Sequence, residues 1–122
     1  MPINKLQLIT PGTTLTSAGA QSGVSVSNIT GDFTVKIYVS ALLANMRVAV
    51  EETVNSFSTV GQLWVQNLQG PVPIEGVLLS FAGRRESAGT TVVGEANSQL
   101  RVNVQELNSY VPSVTLSAWV EY

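Results

Sequence analysis

Hydrophobic and polar residues alternate with a period of two along most of the chain, the spacing of a strand with one buried face. Residues 33–40 put Phe33, Val35, Ile37 and Val39 on one side and Thr34, Lys36, Tyr38 and Ser40 on the other. Residues 46–51 repeat the pattern with Met46, Val48 and Val50 inward. Between them, residues 41–45 (Ala-Leu-Leu-Ala-Asn) break the alternation and are short enough to reverse the chain, so a hairpin with a five-residue connection is expected. Residues 39–48 also suit one or two helical turns, but the flanking β-branched residues favour a loop. The C-terminal part has the same form. Residues 100–105 alternate, residues 108–113 (Asn-Ser-Tyr-Val-Pro-Ser) read as a turn, and residues 114–121 alternate again. There Val114, Leu116, Ala118 and Val120 face one way, and Thr115, Ser117, Trp119 and Glu121 the other.

Weaker strand signals lie at residues 6–9, 23–28, 62–67 and 74–81. Pro11-Gly12, the small-residue tract 17–23 and Gly70-Pro-Val-Pro73 punctuate them, and prolines do not sit in a central ladder. About eight short strands with Gly, Pro, Asn and Ser between them describe an all-β protein, a single-domain antiparallel β-sandwich of jelly-roll-like type spanning residues 1–122. Residues 1–22 are expected to form an extended arm plus an edge strand. No 20–50-residue repeat suggests a solenoid.

Composition narrows the chemistry. The 122 residues include six Lys+Arg, eight Asp+Glu, no His and no Cys, and charged residues make up 11%. One domain of this length buries roughly two-thirds of its unfolded surface and needs no disulfide scaffold. Without His or Cys there is no imidazole base, no thiolate nucleophile and no zinc site of the usual kinds. A charged fraction under half of the usual quarter leaves solubility to Ser, Thr, Asn and Gln, which suits a surface packed against other protein. A net charge of −2, with only Arg84-Arg85 adjacent, gives no footprint for nucleic acid. No apolar run reaches the length of a membrane helix and the N-terminus has no signal-peptide core, so neither membrane nor secretion is expected. The sequon Asn28-Ile-Thr30 is accordingly not expected to carry glycan.

Carboxylate pairs are the catalytic option left. Glu51 and Glu52 are sequential and point to opposite faces of a strand, so they do not flank one bond, and they read as solvated strand-end charges. Asp32, the single Asp, fits a turn role better than a calcium site. Residues 83–89 have Gly and Arg without the Walker spacing and read as an exposed hairpin loop. Two roles fit Arg84 and Arg85: contact with carboxylates of another subunit, or a solvated loop held by Glu86. Two also fit Tyr38 and Trp119, which stand opposite the inward set: a second buried layer, or anchors of an interface. The candidate interface residues are therefore Arg84, Arg85, Tyr38 and Trp119. No catalytic residue, cofactor or metal is assigned.

The runs 31–42, 48–53 and 63–65 and the ending Val-Thr-Leu-Ser-Ala-Trp-Val-Glu at 114–121 resemble small β-sandwich virion proteins of tailed bacteriophages, of the capsid cement or decoration type. The resemblance implies a non-enzymatic homo-oligomer, dimer or trimer, made in the host cytoplasm and carried in the virion. Its partner would be the major capsid protein or another virion protein, and binding only the assembled shell would stabilise it by linkage. Pro2 to Thr16 would serve as an arm adding a strand to a partner's sheet. A tail, neck or fibre component shares the same features. A carbohydrate-binding module would instead gather Trp64, Trp119 or Tyr38 on one exposed platform.

Overall fold

The computed structural model describes residues 4–84 and 91–122, with Arg84 described by its backbone alone. The chain is all-β, and no helix occurs among the described residues. The described residues form seven strands: β1 (Lys5–Leu15), β2 (Gly19–Ala20), β3 (Val24–Ser25), β4 (Asp32–Thr53), β5 (Gly61–Gln69), β6 (Val77–Arg84) and β7 (Gln99–Glu121). They make one antiparallel sheet in the order β1-β7-β4-β5, with β6 also on β4 and β2 and β3 also on β7.

Two expected hairpins are absent. Residues 41–45 do not turn but continue β4 for 22 residues, and residues 108–113 continue β7 for 23. The local cause is the phase of the side chains. Phe33, Val35, Ile37 and Val39 are buried at odd positions, whereas Leu42, Ala44, Met46, Val48 and Val50 are buried at even ones. The slip falls at Ser40, which the register skips between Val39↔Leu116 and Ala41↔Thr115. A bulge and a turn interrupt alternation alike, but a bulge bends the strand and lets it run on. On β7, residues 109–112 swell out opposite Ala44, between Leu43↔Ser113 and Asn45↔Asn108, leaving Tyr110 and Val111 exposed. Pro112 is tolerated within the strand because it sits in this bulge.

The bends convert one sheet into two layers that share β4 and β7. The first half of β4 pairs with β6 and with the second half of β7, which carries β1 on its far side. The second half of β4 pairs with β5 and with the first half of β7, which carries β2 and β3. Trp64 and Phe81 show that the layers are stacked. They pair with Val50 and Val35, fifteen residues apart on β4, a span of about 50 Å in a straight strand. Yet their rings lie 6.4 Å apart, near parallel. The inward residues form one hydrophobic cluster, including Val26, Ile29 and Val93 from the connections. Each fully buried aliphatic side chain contributes roughly 1.5–3 kcal/mol.

The N-terminal segment is not a free arm. β1 lies along residues 114–121 of β7, with two register shifts. Asn4 and Tyr122 exchange backbone hydrogen bonds at 2.8 and 3.0 Å, and the Gln21 amide donates to Val102 O at 2.8 Å. Of residues 1–22, those from Asn4 onward include the expected edge strand, and pairing within the chain takes the place of the extended arm there.

Candidate functional site

Cross-strand pairing on the β1-β7-β4-β6 layer sets out its outer face row by row. Gln7 stands beside Trp119, Trp119 beside Lys36, and Lys36 beside Ser80. One step toward the end of β7 come Lys5, Glu121, Thr34 and Ala82, and one step the other way Ser117, Tyr38 and Leu78. Tyr38 and Trp119 thus share one face as diagonal neighbours on adjacent strands, at about 7–8 Å. Both are half-buried, whereas Leu78 is 52% exposed. They are outward residues beside solvent, not a second buried layer.

Each aromatic is held by its polar end. The Trp119 indole N–H donates to Glu121 Oε2 at 2.8 Å, while Glu121 Oε1 takes the Lys36 ammonium at 3.1 Å. Lys5 Nζ lies 4.5 Å from the centre of the indole, a cation–π contact. The hydrogen bond from Trp119, then that from Lys36, and the charges of Lys36 and Lys5 hold the Glu121 carboxyl below its ordinary pKa against a smaller desolvation effect. The Tyr38 hydroxyl donates to the Glu75 carbonyl at 2.6 Å. Its ring packs against Gly76, where φ is +81° and a Cβ would stand 2.6 Å from the hydroxyl oxygen. Glycine is required there on both counts. Gln7 fixes the neighbouring bulge of β1 by donating to Ile9 O at 2.6 Å and Ala118 O at 2.8 Å. The result is one face carrying two fixed rings with aliphatic and cationic neighbours.

Among the described residues, one surface depression of about 410 Å³ lies at the bend beside Leu43, Gly70 and Asn108 and another of about 500 Å³ beside residues 54–56 and 97–99. Trp64 faces the opposite way, between the layers and against Phe81, so of the three aromatics named for a sugar-binding platform only Tyr38 and Trp119 share a face. β6 ends at Arg84, paired with Asp32; the Arg84 side chain and all of Arg85 and Glu86 lie outside the described residues. Of the hairpin loop expected at 83–89, Gly83 and Arg84 belong to β6, and residues 85–89 lie outside the described residues.

A second cluster occupies the outer face of the other layer. Glu51 is 6% exposed and accepts from Arg101 Nε at 2.7 Å and Asn103 Nδ2 at 3.0 Å. Phe57 covers the guanidinium at 4.1 Å. The 54–60 loop places that ring through the Thr53 hydroxyl, which accepts from the Phe57 amide at 3.0 Å and donates to Thr59 O at 2.9 Å. Arg47 reaches Gln105 at 2.9 Å and Glu106 at 3.2 Å, and Gln105 donates to Gln62 at 2.7 Å. Glu52 points to the other side, 3% exposed, and accepts the Val92 amide at 2.8 Å. Burial raises its pKa, opposed by that amide. The two carboxylates do face apart, but neither is the solvated charge expected; both are buried with partners. Among the described residues no three of His, Cys, Asp and Glu come together as a metal site.

Comparison with protein-family models, with curated proteins and with solved structures gives no match to this chain.

Proposed function

We propose that the protein is a non-enzymatic structural protein of a phage particle, binding the outside of the capsid shell as a cement protein through the Tyr38–Trp119 face. The observation that carries this is the preparation of that face. The polar tips of both aromatics are bonded within the chain, at 2.8 Å for Trp119 and 2.6 Å for Tyr38. Little ordering entropy is then left to lose on docking, and the unbonded ring surface is free to bury against protein. Tyr and Trp are the residues that most often dominate such interfaces. The phage setting rests on the resemblance of the strands and the C-terminal run, and the low charge fits a life in contact with protein.

Mass spectrometry and electron microscopy of particles from the source test this. Stoichiometric copies on the shell are expected, and Trp119→Ala is expected to leave shells bare. Location in the tail, or absence from particles, overturns the capsid assignment.

A further inference from the structure

Four edges bound the two layers, and a free edge presents unpaired N–H and C=O groups that invite another strand. Proteins blunt such edges with short strands, bulges, proline or charge. Three of the four are blunted here. β2 and β3 have two residues each. β1 carries Lys5, Pro11 and two register shifts. β5 carries an extra residue at Leu63, since Val50 and Glu51 pair with Trp64 and Gln62. β6 has none of these devices along its length. Its eight residues pair with β4 in unbroken register, from Val39↔Val77 to Asp32↔Arg84, with no proline and no charge before Arg84. Among the described residues no strand lies along its other side.

We propose that a second copy of this chain adds along β6, antiparallel, about a two-fold axis at Ser80. Only a two-fold axis pairs an edge with itself in this way. Directly opposed residues share a face, so Ser80 stands against the partner's Ser80, Leu78 against the partner's Ala82, and Val77 against the partner's Gly83. On the other face Leu79 stands against the partner's Phe81, and the half-exposed Leu78 gains apolar cover from the partner's Ala82. Pairing over this length makes about eight backbone hydrogen bonds. The outer faces then join into one surface running from Trp119 through Ser80 to the partner's Trp119. The dimer follows from the edge itself and does not depend on the capsid assignment.

The chain contains no cysteine, so Ser80→Cys introduces a single thiol. On the axis the two Cα atoms stand about 4.5–5.5 Å apart, within the range a disulfide spans. Sedimentation equilibrium should give a dimer mass for the wild type. Under mild oxidation S80C should form a covalent dimer at least about tenfold faster than Gln66→Cys on β5, because proximity raises the effective thiol concentration. Ser80→Lys places two ammonium groups at the axis and should yield a monomer with unchanged circular dichroism. A monomeric or trimeric wild type, S80C cross-linking no faster than Q66C, or a folded S80K that stays dimeric would overturn the proposal.

Discussion

The two outer faces are built from halves of the same two strands, yet they use their polar side chains in different ways. On the β5 side, the polar side chains bond within the face in two groups, Arg101 and Asn103 to Glu51, and Arg47 to Gln105 and Gln105 to Gln62. On the β6 side, the polar groups of Tyr38 and Trp119 are bonded and their rings stay half-exposed. A network that satisfies all its members rigidifies the fold but offers a partner little. Fixed rings with open surface contribute less to folding and more to contact. The difference separates stability from binding between two ends of one pair of strands.

The largest effect should come from breaking the bonded groups of the β5 side. Arg101→Ala leaves the buried Glu51 carboxylate with Asn103 alone and strips the cover from Phe57. Because the Arg101 side chain retains 20% exposure, the loss should fall somewhat below that of a fully buried pair, at about 2–4 kcal/mol in urea denaturation. Binding to shells, measured at a temperature where the variant is folded, should not change. Trp119→Ala should reverse the pattern. It should weaken shell binding by at least about 2 kcal/mol, roughly 30-fold, with a smaller cost in stability than Arg101→Ala. A variant of either kind that moved both readouts equally would dissolve the separation.

Much of this was legible in the alternation. The inward residues of 33–39, 46–50 and 114–120 are buried, and Tyr38 and Trp119 stand on the opposite face. What alternation does not carry is the sense of an interruption. At residues 41–45 and 108–113 a bulge and a turn look the same locally, and only pairing between β4 and β7 decides for the bulge. The anchors' partners were hidden for a related reason: Tyr38 bonds a carbonyl 37 residues away, and Glu51 an arginine 50 residues away. Trp119 and Glu121 were the exception, because residues two apart on a strand share a face and can be paired from sequence.

Two carboxylates give the comparison a pH axis with opposite signs. Glu52 has its pKa raised by burial, so the folded state holds its proton more tightly than the unfolded chain. Stability from this group is unaffected below the ordinary carboxylate range and falls as pH rises through that range to the raised value. Glu52→Gln keeps an acceptor for the Val92 amide and removes the charge, so it should be more stable than wild type at neutral pH, with the difference vanishing in acid. Glu121 behaves in the reverse sense. Its pKa is lowered by Trp119 and Lys36, so its contribution is present above the ordinary carboxylate range and is lost as pH falls through the lowered value. Glu121→Gln should flatten that acid limb, and the change should be the smallest of the four because the side chain is solvent-screened. Unfolding free energies across the acid range for wild type and both variants separate the two. If Glu121→Gln shifted neutral-pH stability more than Glu52→Gln did, the open face would be a stabilising network like its counterpart, and the contrast between the two ends would fail.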